Sequence, residues 1–292
     1  MTLPMPEKAN HNCPEPHEAE SAESSALQKS LSRPSAKEIF TQVAANARQE
    51  LKRTTIALGI SGVGGGAFLG LTALAVAFAN VLLGSAGADH LLAAAFYPIG
   101  FIVVIVGRSQ LFTENTLYPV ALVLAERKHL LNTLRLWAVV LPANIAGALA
   151  FAAIAAFTPA FSGAIVAAMG QSGIGALGHT PYSIFWSGII AGWIIALAAW
   201  LVSGSHSITG SVMVIWMLMF IVGLGNFAHC IATSCEILVA VLTGHATWSA
   251  YGSWLVFAVS GNIVGGVVLV TLLEYGQAIF AEESEPEASG NG

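Results

Sequence analysis

"GNFAHCIATSCE", residues 225–236, interrupts an apolar run that begins near Val212 and ends near Val241. Asn226, His229 and Glu236 are each expensive in hydrocarbon, so a membrane-length stretch that carries them must satisfy them or use them. A helix that breaks here and faces a water-accessible pore does both, with Glu236 nearer the far end of its second piece.

Of the 292 residues, 55% are hydrophobic and only 9% are charged, and the mean hydropathy is +0.73. Soluble domains carry about 25% charged residues. This composition cannot build a water-facing surface and points to an all-α integral membrane protein. An apolar helix needs about 20 residues to cross a bilayer. Six crossings are expected, at 54–83, 90–108, 134–157, 183–203, 208–224 and 249–276. The second and fifth continue beyond an interruption as shorter apolar pieces, 117–125 and 230–243.

Basic residues set the direction. Arg48, Lys52 and Arg53 precede the first crossing, and Arg127, Lys128 and Arg135 fall between the second and third, whereas the loop near 84–90 and every later loop has none. The positive-inside rule then puts both termini in the cytoplasm, with the chain multi-pass in the cell's inner (plasma) membrane. Residues 1–34, rich in Pro, Glu and Ser, read as a disordered cytoplasmic tail without a signal-peptide h-region. Residues 35–53 read as an amphipathic cytoplasmic helix, with Phe40, Val43, Ala44, Ala47 and Leu51 on one face. That face is expected to meet the membrane surface or a neighbouring subunit. Residues 54–278 form the channel domain, and 279–292 an acidic cytoplasmic tail. Cys13, Cys230 and Cys235 make no metal pattern, and no cofactor or nucleic-acid motif is present.

A repeat lies inside the helices. "ANIAGALAF" at 143–151 returns as "GNIVGGVVL" at 261–269, an offset of 118 residues between Asn144 and Asn262. One copy is in the third crossing and the other in the sixth. Three crossings per half is odd, so the halves would run through the membrane in opposite senses as inverted repeats. The same offset carries Leu111-Phe112-Thr113 onto His229-Cys230-Ile231, matching the interruption "RSQLFTENT" of the second helix to that of the fifth. Paired broken helices are where inverted-repeat transporters commonly hold their solutes.

As a set and in this order, "LFT" after a broken second helix, a lone His after a Gly-Asn-Phe break in the fifth, and paired "NIxG" motifs resemble the formate/nitrite transporter family. The resemblance runs over residues 36–278. "GRSQLFTENT" with "HCIATSCE" is most similar to the family's YfdC-type branch. The resemblance implies an aquaporin-like fold, a homopentamer with one pore per protomer, and a small monovalent anion as the solute, often moved with a proton. It places Leu111, Thr113 and His229 at the central site. It places Tyr97 and Val222 at constrictions, with Phe112 in the "LFT" loop and Phe227 as an aromatic near the His. Gln110, Ala176, Gly192, Ala228 and Thr233 depart from the family's acid, Lys, Asn, Glu and Asn.

A bare anion loses a large hydration energy in an apolar constriction. Backbone N–H groups at half-helix starts offset that loss, and protonation removes it. With a free pKa of about 6.5, a histidine exchanges protons near neutral pH. His229 is therefore read as relaying or supplying a proton while Thr113 holds the anion; the plainer reading is a neutral His bonded across helices. Glu236, seven residues on, either partners His229 through Thr233 or faces a vestibule, and the vestibule is preferred because 230–243 is short. Asn226 and His179 complete the secondary candidates, His179 at the external mouth. Glu114 and Asn115 read as loop-structuring residues, and His206 and His245 as solvated. Competing functions are a pore for a small neutral solute on the same scaffold and a non-transporting membrane protein. An enzyme is disfavoured, because neither "HExxH" nor "GxSxG" occurs.

Overall fold

The computed structural model describes residues 34–83 and 87–280, so most of the expected tails lies outside the described residues. Every element among them is helical. Five stretches are long and apolar enough to cross a membrane. They are α2 (Thr55–Leu83), the pair α3 (Gly87–Ala94) and α4 (Pro98–Val106), α6 (Leu130–Phe157), α8 (Pro181–Ser203), and α11 (Trp248–Val264). The last continues through a π-helical segment, Gly265–Leu272, into α12 (Leu273–Phe280).

The second expected crossing breaks after α4 and resumes as α5 (Tyr118–Glu126), with a 3-10 turn at Glu114–Thr116 between them. The fifth is α9 (Ile208–Leu224), a loop at 225–231, and α10 (Ala232–Leu242). At 17 residues, α9 spans about 25 Å, short of the roughly 30 Å hydrocarbon core. The region before the fourth crossing, read as a loop, instead holds a helix, α7 (Gly163–Leu177). Its glycines hide it in the sequence. A Cβ at Gly173 would meet Glu236 O at 2.5 Å, so the glycine lets α7 lie directly against the α10 backbone.

Two tight helix pairs frame the breaks. α2 meets α6 where a Cβ on Gly66 would run into the Asn144 carbonyl, and α8 meets α11 where a Cβ on Gly192 would run into the Asn262 carbonyl. Small residues let membrane helices approach this closely and gain dispersion contact.

α1 (Ala36–Lys52) buries Val43, Ala44, Ala47 and Leu51. Val43 packs in a cluster with Leu117, Ala121, Ala196, Trp200 and Val270. The apolar face expected to meet the membrane surface or a neighbouring subunit is thus covered by α5, α8 and the π segment of its own chain. Arg48 Nε donates to Glu126 at 3.0 Å, and Arg135 Nη2 reaches from α6 to Leu51 O at 2.9 Å. Hydrogen bonds from His129 and then Arg48 hold the Glu126 carboxyl below the ordinary carboxylate range.

Candidate functional site

Both breaks expose backbone at membrane depth, where every N–H and C=O needs a partner. One asparagine serves each break. Asn144 Oδ1 accepts from Phe112 N at 2.9 Å, while its Nδ2 donates to Gln110 O at 2.8 Å and Gly62 O at 2.7 Å. Asn262 Oδ1 accepts from Cys230 N at 2.9 Å, while its Nδ2 donates to Ala228 O at 2.9 Å and Gly188 O at 2.8 Å. Each clamp takes the loop at one residue and at the next but one, and the paired loop positions keep the offset read from the sequence. Asn144 and Asn262, singled out as repeat markers, are the braces of the two breaks.

The two loops meet at His229 and Thr113, both fully buried. His229 Nε2 lies 2.9 Å from Thr113 Oγ1. On the other side of the ring, Nδ1 accepts from Ala232 N at 3.0 Å and Ile231 N at 3.3 Å, capping the first turn of α10. Backbone N–H groups only donate, so Nδ1 carries no proton and the imidazole proton is on Nε2. His229 therefore donates to Thr113, which leaves the Thr113 hydroxyl proton to be given onward. A proton relay through both ring nitrogens would first have to break the α10 cap.

An aromatic file leads to this pair. Tyr97 stacks on Phe101 with centroids 5.4 Å apart, and Phe101 meets the His229 ring edge-on at 5.0 Å. Phe101 was not singled out in the sequence, although it stands one helical turn beyond Tyr97. Phe112 is buried with its ring edge-on to Trp137 at 5.7 Å. Leu111 and Val222 are buried, and Gly223, beside Val222, lies under the Tyr97 ring.

Beyond Tyr97 opens a cavity of about 290 Å³. Tyr97, Asn226, Phe227, Thr233, Glu236 and His179 all line it, together with Ala176. The structure thus splits the candidates into a buried pair, His229 with Thr113, and a vestibule group that reaches Glu236.

Behind the break in the second crossing, Gln110 Nε2 donates to Glu50 Oε2 of α1 at 2.6 Å, and Gln110 Oε1 accepts from Asn115 at 2.9 Å. Where the family pattern carries an acid, this chain holds an amide bonded to an acid from another helix. Glu50 has no local sequence signal, because the contact joins positions 60 residues apart. Ser187 was missed for the same reason: its Oγ accepts from Ala228 N at 2.9 Å from 41 residues away.

Comparison with known proteins agrees with this arrangement. The family described as "Formate/nitrite transporter" matches residues 37–276. "Inner membrane protein YfdC" of Escherichia coli (strain K12) is 31% identical over 243 residues, covering 82% of this chain and 77% of that protein. A solved structure titled "FNT family ion channel" superposes with a TM-score of 0.73 at 19% identity, covering 85% of this chain and 99% of that one. Another, titled "Pentameric formate channel with formate bound", gives a TM-score of 0.65 at 20% identity, covering 78% and 98% of the two chains. Two broken helices braced by matched asparagines thus occur in a chain whose sequence and backbone both lead to one conclusion: it belongs to the formate/nitrite transporter family.

Proposed function

We propose that this protein is a transmembrane channel or transporter for a small monovalent anion or its conjugate weak acid, of the formate kind. The observation that carries the reading is the His229–Thr113 pair at the meeting of the two breaks. An apolar, aromatic-lined path that ends on one polarised hydroxyl donor suits a small hydrogen-bond acceptor such as a carboxyl oxygen. In this reading Thr113 holds the solute, His229 orients and polarises Thr113, and Leu111, Phe112, Tyr97, Val222 and Phe227 narrow the path. Asn226, Thr233, Glu236 and His179 line its mouth.

The protein would act as a homopentamer in the inner membrane, with one pore per protomer, both tails cytoplasmic and no enzymatic step. The similarity to a pentameric formate channel supports that assembly and solute class. Two oppositely directed three-helix halves are supported by the duplicated asparagine braces. The domain reading divides the chain into tail, α1, channel domain 54–278 and acidic tail. One observation favours the alternative of a pore for a neutral solute: the vestibule is lined by Ala176 and by no Lys or Arg.

Flux into proteoliposomes with an internal pH-sensitive dye tests the reading, with formate, nitrite and hydrosulfide imposed as gradients against protein-free vesicles. Protein-dependent acidification with one of them is expected. Swelling with a neutral solute of similar size and no acidification would establish the alternative. No response to any solute would reject both.

A further inference from the structure

A groove of about 790 Å³ opens where the end of α5, the start of α6 and Tyr275 of α12 come together, outside the solute path proposed above. Arg127, Lys128 and His129 line it with Leu130 and Leu131 beside them, and no Asp or Glu does. Tyr275 Oη donates to Leu124 O at 3.3 Å and so ties α12 to α5 across its back.

The cations of this groove are not neutralised. Glu126, the acid next to them in the chain, is already taken by Arg48 at 2.6 Å and His129 at 3.0 Å. Among the described residues the Arg127 guanidinium and the Lys128 ammonium make no hydrogen bond and no ion pair, and both side chains are exposed. The field there is positive for a further reason. α6 starts from His129 without a side-chain cap, so its first turn adds N–H donors and the positive end of a long helix.

Apolar surface adjoins this charge. Leu131 is 81% exposed, and Leu130 and Leu134 are exposed as well. These leucines lie three and four residues apart at the start of a membrane-length helix, so they form one face. A ligand for the whole surface therefore needs a negative head and an apolar body. The segment after Phe280 brings Glu282, Glu283, Glu285 and Glu287 but no large apolar side chain. It matches the cations and leaves the leucines uncovered.

We infer that this groove binds an anionic phospholipid, with the headgroup phosphate on Arg127 and Lys128 and an acyl chain along Leu130, Leu131 and Leu134. Basic side chains at a membrane surface each strengthen the hold on an anionic lipid about fivefold. Two uncompensated cations then give roughly a twentyfold preference for an anionic over a zwitterionic headgroup.

The test reads the groove itself and needs no transported solute. In a Cys13→Ser background, Leu134→Cys carries a bimane in the full-length protein, reconstituted in phosphatidylcholine vesicles. Phosphatidylglycerol or phosphatidylcholine with a nitroxide on one acyl chain is titrated in as quencher. Half-quenching should need about twentyfold less of the phosphatidylglycerol. Arg127→Gln and Lys128→Gln should each cut that preference about fivefold, both together should abolish it, and Lys128→Arg should keep it. The two cations are tested separately, so failure of one variant to assemble leaves the other to decide. A bimane at Ala160→Cys, in the exposed loop between α6 and α7, should show no preference.

An equal response to both lipids at position 134, the same preference at position 160, or a preference unmoved by either Gln variant would overturn the inference. A preference seen only in a chain ending at Phe280 would overturn it too, by giving the groove to the acidic segment. A bimane that neither lipid quenches would place a second copy of the chain over the groove, with the same consequence.

Discussion

The backbone N–H groups of Ile231 and Ala232 fix the tautomer of His229, and through it the direction of each proton at Thr113. Removing the Thr113 hydroxyl should cost the solute one hydrogen bond, about 1–2 kcal/mol, which is about tenfold in flux. Thr113→Val is expected to show that loss in the proteoliposome assay, and Thr113→Ser to keep most of the flux. Equal flux for Val and Ser would remove Thr113 from the solute path. His229→Phe loses both the donor to Thr113 and the cap on α10, so it should lower flux further while leaving the oligomer intact in size-exclusion chromatography. At Gly192, which the resemblance sets against an Asn of the family, a Cβ would run into the Asn262 carbonyl. Gly192→Asn should destabilise the α8–α11 contact by about 1–3 kcal/mol, as overpacking does, and lower the melting temperature. A restored anion flux with unchanged stability would refute this packing assignment.

The braces act on whole elements. Asn144 and Asn262 each satisfy one N–H and one C=O in a break, so replacing either with Ala orphans several backbone groups at membrane depth. Hydrogen bonds in membranes average well under the value expected for hydrocarbon, so the three bonds lost should cost about 2–4 kcal/mol in all. We expect Asn144→Ala and Asn262→Ala to shift thermal unfolding alike, because their bonding is alike. A brace that unfolded the chain in one half and was silent in the other would deny the equivalence of the breaks. The motif offset was legible in the sequence, since period and motif are local properties. Glu50 and Ser187 were not, since each works through a contact distant in sequence. α7 was illegible for another reason: glycine lowers helix propensity, and only packing on α10 reveals why the glycines are there. The burial of α1 against α5 and α8 was equally hidden, because an amphipathic pattern shows a face without naming its partner. At the end of α5, the depressed Glu126 carboxyl gives the α1 contact a pH dependence. For a depressed acid the stabilisation is present above its unfolded pKa of about 4.3 and is lost as pH falls through the lower folded value. Spin labels on exposed α1 positions should therefore stay immobile from neutral pH to about pH 4.5 and gain mobility below it. Glu126→Gln should show the gained mobility already at neutral pH.

Across the whole molecule the cations are distributed unevenly, and the folded chain ties that asymmetry to the vestibule. α8 begins at Pro181, next to His179 of the vestibule, and at its far end Trp200 packs in the cluster that covers α1. Arg48, Arg53 and Arg135 lie at or bond to the α1 end, and Arg127 and Lys128 follow α5 directly. The vestibule end offers no Lys or Arg among its lining residues. Because cytoplasmic loops carry the excess of Lys and Arg, α1 should face the cytoplasm and the vestibule the outside. The fold alone would be equally content either way round, since hydrocarbon does not distinguish the two ends of a helix. Single cysteines in a Cys13→Ser background separate the two cases, with Cys230 and Cys235 buried and silent. Ala160→Cys, exposed in the loop between α6 and α7, should react with a membrane-impermeant maleimide in intact cells. Lys128→Cys should react only after permeabilisation. The opposite pattern would reverse the protein in the membrane and put the Glu236 vestibule on the cytoplasmic side.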